Sequence, residues 1–313
     1  LDEVTAQLSR VFEACLGVKR EECVLVVTDH DRFQVGREIE AAFKELSDEV
    51  MLMVMKPRSR HGEEPPEAVA RAMAASDAVA IPTTMSLTHT EARRKACRAG
   101  ARIASMPGIT MEMLEKGGLH ADYEEMRRLT EALARRGTKA ESIRITSSLG
   151  SDFTASLRGR KMLADTGFIL RKGGFGNLPA GEAFIAPVEG SGEGRLVFDG
   201  SFSSVGVLEE PLELVVRKGK VVECSNKTLS EAIEKYRNAD NIAEIGLGTN
   251  NAARLIGNVL EDEKVYGTCH VAIGDNHTFG GATRAEIHLD GVIKEPRVFL
   301  DDEEVMRGGE FFL

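Results

Sequence analysis

The sharpest chemical signal in the chain is His288-Leu289-Asp290. In an extended strand, residues i and i+2 project to one face, so this imidazole and this carboxylate point together, a spacing suited to two ligands on one cation. His270 lies in Gly267-Thr268-Cys269-His270-Val271-Ala272-Ile273-Gly274, which also reads as a strand. Neighbouring strands that bring His270 beside His288 and Asp290 assemble two histidines and one carboxylate, the donor set of catalytic zinc and non-haem iron sites. A strand-borne His–Asp hydrogen bond without metal uses the same residues, and spacing alone leaves both readings open.

Two acids sit among apolar residues and glycines. Glu182 follows Asn177-Leu178-Pro179-Ala180-Gly181, and Glu244 lies in Ile242-Ala243-Glu244-Ile245-Gly246-Leu247-Gly248-Thr249-Asn250. A buried carboxylate is costly unless it is paired or bound to metal, and glycines let backbone approach a ligand closely. A solvated loop acid is the plainer reading of either. The polar loop Gly274-Asp275-Asn276-His277-Thr278-Phe279-Gly280-Gly281 joins the two histidine strands, as a plain turn or as a lining of the site. His30, His61, His89 and His120 are isolated; His30 stands just past a strand end, where α/β folds hold ligands.

Other chemistries lack their signatures. There is no Gly-x-Ser-x-Gly elbow and no His-Glu-x-x-His helix. No Gly-x-Gly-x-x-Gly follows the first strand at Val27, and Gly173-Gly174-Phe175-Gly176 lacks the Lys-Ser/Thr of a phosphate loop.

The elements that must position these residues fall into two halves of a chain of 313 residues, long enough for two domains. Strand-like runs over 23–27, 50–55, 78–81 and 101–105 alternate with helical patterns over 35–46, 65–75 and 91–98, which argues for a parallel α/β sheet. An amphipathic helix over 121–136 ends at Gly137. The expected organisation is a Rossmann-like α/β domain over 1–137 without a nucleotide fingerprint, and a strand-rich α+β metal-binding domain over 138–313. In the second half, strands are expected over 142–147, 152–157, 195–198, 212–217, 221–224, 265–273, 285–293 and 297–300. Helices are expected there over 229–236 and 251–260, and Lys218-Gly219-Lys220 reads as a hairpin turn.

Composition narrows the partners. The formal net charge of −10 makes nucleic acid and anionic membrane poor partners, while carboxylates gathered around a cation remain compatible with it. No apolar run approaches the ~18 residues of a membrane span, and no basic leader with an apolar core is visible. The odd set Cys15, Cys23, Cys97, Cys224 and Cys269, without a Cys-x-x-Cys pair, reads as reduced thiols in the cytoplasm.

Taken in order, the blocks around Glu182, Glu244, His270 and His288-Leu289-Asp290 resemble the aminopeptidase T family of metalloaminopeptidases, often described as leucyl aminopeptidases. The resemblance covers the second half well, and the first half only as a shorter α/β domain. It implies a hydrolase that removes N-terminal residues from small peptides at two divalent ions, zinc, cobalt, manganese or magnesium, held by Glu182, Glu244, His270, His288 and Asp290. It also implies a homodimer. Glu182, or another acid, would pass the proton to the leaving amine. In that family a Tyr stands seven residues after the first ligand His; here the position is His277, an imidazole with a different reach and pKa, expected at the rim of the site as a catalytic group. The iron-dependent 2,5-dihydroxypyridine dioxygenases resemble the same core, which implies the alternative of an Fe(II) facial triad of His270, His288 and Asp290 with open positions. A metal-binding homologue without turnover is the third reading.

Overall fold

Most apolar runs in the first third of the chain become buried strands of one sheet, whereas the run over 50–55 forms an edge strand that leaves Met51 and Val54 exposed. The structure, a computed structural model, describes residues 3–312. Its opening elements are α1 (Glu3–Leu16), β1 (Cys23–Asp29), α2 (Phe33–Lys44), β2 (Glu49–Met55), α3 (Glu67–Ala75), β3 (Ala78–Ile81), α4 (Glu91–Ala99), β4 (Arg102–Ser105) and α5 (Met111–Glu115). The strands pair in parallel in the order β2-β1-β3-β4, followed by β8 (Phe175–Asn177) from much later in the chain. Val24, Leu25, Val26 and Val27 on central β1 are fully buried, as both faces of a parallel sheet require.

The chain divides into two units, Leu1–Tyr123 with Gly167–Ala180, and Glu124–Thr166 with Gly181–Leu313. The single boundary expected at 137 is therefore replaced by three crossings. Leu133 and Ala134 of α6 (Tyr123–Lys139) belong to the core of the second unit. The segment from Gly167 returns to the first unit, where Ile169 N donates to Cys15 O at 2.6 Å and Ile103 N to Gly174 O at 3.0 Å. The glycine run at 173–176 thus supplies a sheet strand.

The second unit continues with β5 (Ser142–Thr146), β6 (Asp152–Ser156), β7 (Leu163–Asp165), β9 (Glu182–Ile185), β10 (Glu193–Phe198), β11 (Ser201–Phe202), β12 (Gly206–Val207), β13 (Leu212–Arg217), β14 (Lys220–Cys224), α7 (Lys227–Lys235), β15 (Ile242–Gly248), α8 (Val259–Asp262), β16 (Cys269–Gly274), β17 (His288–Ile293), β18 (Arg297–Leu300), β19 (Glu303–Arg307) and β20 (Glu310–Phe311). Two antiparallel sheets result, ordered β14-β13-β10-β6-β5-β18-β19-β20 and β12-β11-β17-β16-β15-β9-β7. Both feed one core: Ile145, Phe153, Leu196 and Val216 from the first sheet, and Ile245, Leu247, Val271 and Ile273 from the second. Lys218 and Gly219 adopt positive φ of 49° and 70°, the two-residue hairpin turn expected between β13 and β14.

The helix expected over 251–260 is absent apart from α8. Side-chain oxygens take the backbone amides a helix would have used: Asn250 Oδ1 accepts from Ala252 N and Ala253 N at 3.0 Å, and Asp262 Oδ1 from Ile256 N at 2.7 Å. Two strands also begin later than their apolar runs, β16 at Cys269 after a turn closed by Thr268 N to Val265 O at 3.2 Å, and β17 at His288. No helix among the described residues is long and apolar enough to cross a membrane.

Candidate metal centre

Period-two alternation in four neighbouring strands separates a core face from a chemical face. Ala183, Ile185, Ile245, Leu247, Cys269, Val271 and Ile273 enter the core, while the residues between them carry the site. On that opposite face stand Glu182 and Phe184 of β9, Glu244 and Gly246 of β15, His270 and Ala272 of β16, and His288 and Asp290 of β17. Gly246 lies opposite both Phe184 and His270, and Ala272 opposite both Glu244 and Asp290. Small residues between the ligands leave room for their side chains. A Cβ on Gly246 would lie 2.1 Å from His270 Nε2, so only glycine lets the imidazole lie across this strand.

The five expected ligands converge. His270 Nε2 is 2.9 Å from Glu182 Oε2 and 3.4 Å from Glu244 Oε1. His288 Nε2 is 3.6 Å from Glu244 Oε2 and 3.3 Å from Asp290 Oδ1. Glu244 thus offers one oxygen to each imidazole. Three overlapping groups, Glu182–Glu244–His270, Glu244–His288–Asp290 and Glu263–His270–Asp290, each bring their donor atoms within 4.8 Å of one another. Glu182, Glu244, His270 and Asp290 are buried, whereas the His288 side chain is 31% exposed and marks the open side.

The donor set fits a cation. Glu182 Oε2 and Asp290 Oδ1 are buried without a hydrogen bond despite their neighbouring imidazoles. Leaving a buried acceptor unmatched costs about 1–3 kcal/mol, more when it is charged, and a cation between these atoms removes that cost. His288 Nδ1 donates to the Asp275 carbonyl at 2.8 Å, which leaves Nε2 to face the acids. Burial works against a charged imidazole at His270 and His288, but the surrounding carboxylates outweigh it. His270 is held well above its ordinary pKa by Glu182 and Glu244, and His288 is pushed up to about 10 by Asp290 and Glu244. Burial raises Glu244, while for Glu182 and Asp290 the adjacent positive groups outweigh burial and lower the pKa. A bound metal takes over the role of the imidazole protons.

The sequence reading missed Lys264. It is fully buried, with Nζ 2.5 Å from Glu182 Oε1 and 3.9 Å from Asp165 Oδ2, and it also bonds the Glu263 carboxylate. A lysine directly after three acids, in Glu261-Asp262-Glu263-Lys264, reads as a solvated face, and no periodicity marks it. His277 joins none of the three donor groups. It is exposed and held by the Asp275 carboxylate at 2.8 Å from Nδ1. Phe279 of the same loop packs between Phe184 and His288. Among the other histidines, His61 Nδ1 accepts from Ser86 N at 3.1 Å, and His120 Nε2 donates to Leu114 O at 3.0 Å.

The chain thus combines a parallel α/β unit with an antiparallel two-sheet unit, the latter bearing a His, His-x-Asp and paired-Glu face that could hold a metal ion. Residues 3–313 match the family model described as 2,5-dihydroxypyridine 5,6-dioxygenase (NicX), and the chain belongs to that family. The 2,5-dihydroxypyridine 5,6-dioxygenase of Pseudomonas putida KT2440 is 26% identical over 264 residues, 78% of this chain and 73% of that protein. The solved structure of 2,5-dihydroxypyridine dioxygenase from Pseudomonas putida KT2440 matches with a TM-score of 0.83 at 22% identity, covering 99% of this chain and 97% of its own. Wild-type AmpT from Thermus thermophilus matches with a TM-score of 0.73 at 15% identity over 99% of both chains, a likeness of fold alone.

These findings overturn the aminopeptidase expectation, and with it the hydrolase and protease reading. The solved structures of AmpT and of the dioxygenase both match the fold of this chain, so the fold alone does not decide the reaction.

Proposed function

We propose that this chain is an Fe(II)-dependent dioxygenase that opens the ring of 2,5-dihydroxypyridine, with His270, His288 and Asp290 as the residues that would hold the iron. The observation that carries the reading is that Asp290 shares one close donor group with His288 and another with His270, all on one sheet face, in a chain that matches the dioxygenase family over residues 3–313. When bound, ferrous iron supplies the one-electron chemistry that lets dioxygen attack an electron-rich ring, with coordination positions left free by a three-residue set.

The chain's own residues supply orientation and proton handling. The Asp275 carbonyl sets the His288 tautomer, and Ser203 Oγ accepts from Asp290 N at 3.0 Å, which steadies the strand under that carboxylate. Phe279 and Phe184 give the open side an apolar, aromatic border suited to a flat ring. Glu244, its pKa raised by burial, can exchange a proton with a ring hydroxyl. His277 stands on the adjoining loop as the rim acid–base group. The proposal replaces the peptide substrate by a small aromatic one and retains a homodimer working in the cytoplasm.

The test is oxygen consumption by protein purified anaerobically and loaded with Fe(II), with 2,5-dihydroxypyridine as substrate and loss of its ring absorbance followed in parallel. Stoichiometric uptake is expected. Iron-loaded, folded protein that consumes neither oxygen nor ring sinks the proposal.

A further inference from the structure

Of the three donor groups, Glu182–Glu244–His270 and Glu244–His288–Asp290 offer two cation sites that share Glu244, and Glu263–His270–Asp290 overlaps both. Lys264 distinguishes this pocket from an open two-cation site. Its Nζ lies 2.5 Å from Glu182 Oε1, bonds the Glu263 carboxylate, and has no solvent exposure. A buried ammonium costs several kcal/mol unless carboxylates answer it, and here three of them, Glu182, Glu263 and Asp165, surround it.

The lysine is also held in place by its backbone. Lys264 N donates to Glu261 O at 3.0 Å, and Lys264 O accepts from Asn250 N at 2.9 Å. Gly248 on β15 makes the approach possible, since a Cβ there would lie 2.0 Å from Val265 O and 2.8 Å from the Lys264 carbonyl carbon. The turn is therefore pressed against the metal face, and the ammonium enters beside Glu182 from a fixed anchor.

We propose that Lys264 is a positioning residue that acts as a permanent internal cation: it holds Glu182 and Glu263, so the pocket takes one divalent ion per chain instead of two. Glu182 Oε1 is committed to the ammonium, and a second divalent ion at Glu182 would sit against a fixed positive charge. The inference deepens the dioxygenase reading and rests on it only for the identity of the ion.

Metal stoichiometry tests this without reference to turnover. Chelator-stripped protein is loaded with excess Mn(II), passed over a desalting column and analysed for metal by mass spectrometry, with calorimetric titration of Mn(II) alongside. Wild type and Lys264→Arg, which keeps the charge, should each retain one ion per chain. Lys264→Gln should show a second binding event absent from the wild type. Two ions on the wild type, or a folded Lys264→Gln protein that still binds one ion with unchanged affinity, overturns the assignment. If Lys264→Gln does not fold, the wild-type count decides alone, one ion supporting the assignment and two overturning it. Oxygen uptake on the Fe(II)-loaded protein separates the two proposals: one ion with no uptake sinks the dioxygenase reading and leaves the role of Lys264 standing.

Discussion

Phe279 stands edge-on to the imidazole of His288, with ring centroids 5.8 Å apart and planes at 85°. Its other side meets Phe184, 5.7 Å away at 68°. The loop that joins β16 to β17 therefore places an aromatic side chain against the one ligand that is open to solvent. Phe279→Ala should raise KM for 2,5-dihydroxypyridine by roughly 2- to 10-fold, the equivalent of one aromatic edge contact of ~0.5–1.5 kcal/mol, while iron content stays unchanged. Steady-state kinetics with metal analysis of the same preparation checks this; an unchanged KM removes Phe279 from the substrate border.

Gly246→Ala should cost metal before it costs fold. The new methyl would lie 2.1 Å from His270 Nε2 and 2.2 Å from Cε1, so the imidazole must leave its position over β15. Overpacking of this kind costs about 1–3 kcal/mol of stability, a tolerable loss, whereas a displaced ligand removes a donor from the centre. Mn(II) affinity measured by calorimetry should fall by an order of magnitude or more, and circular dichroism should keep the wild-type spectrum. Retention of full affinity would show that His270 is not held by the glycine.

The site illustrates what alternation reveals and what it hides. His288-x-Asp290 was legible because a strand's period of two needs only three residues to show that two side chains share a face. Glu182 and Glu244 were legible as acids in apolar strands, and the family blocks put them in order. Lys264 was hidden because the acids that precede it are the usual company of a solvated lysine, whereas in the fold it is buried in a turn packed closely on Gly248. The 251–260 helix failed because Asn250 and Asp262 capture backbone amides, a competition that apolar spacing does not record. β8 escaped as a three-residue, glycine-rich strand whose only support is its long-range pairing with β4. The reaction itself was not legible from Glu182, Glu244, His270, His288 and Asp290, since a cluster of acids and imidazoles suits more than one metal chemistry and the fold is matched by differently named proteins.

In the first unit, Arg102 and Glu22 form a two-pronged pair, Nη1 to Oε1 at 3.0 Å and Nη2 to Oε2 at 2.5 Å, with side chains only 7% and 14% exposed. Burial raises the Glu22 pKa, but the Arg102 hydrogen bonds and charge and the Lys19 amide outweigh it and hold the carboxyl below the ordinary value of 4.5. A depressed folded pKa gives stability that is fully present above the unfolded value and lost as pH falls through the folded one. Glu22→Gln should therefore destabilise the protein by about 3 kcal/mol at neutral pH, because it leaves Arg102 buried without its counter-charge. The Tm gap between wild type and Glu22→Gln should narrow below pH 4.5. A gap that stays constant down to strong acid would show that the pair adds no ionic stability.

His277 and His288 both rest on Asp275, the first on its carboxylate at 2.8 Å and the second on its carbonyl at 2.8 Å. Despite the shared anchor, His277 enters none of the metal-donor groups, and its side chain is 33% exposed. On the proposed reading, His277 paired with a carboxylate would pass protons between solvent and a hydroxylated ring. His277→Ala should leave folding and metal content intact and lower kcat by roughly 100-fold, the low end of what a general acid–base group contributes. His277→Gln, which keeps a hydrogen-bonding side chain but cannot carry a proton back and forth, should be nearly as slow. Wild-type kinetics in either variant would reduce His277 to a loop residue, and loss of metal in His277→Ala would instead assign it to the support of His288 through Asp275.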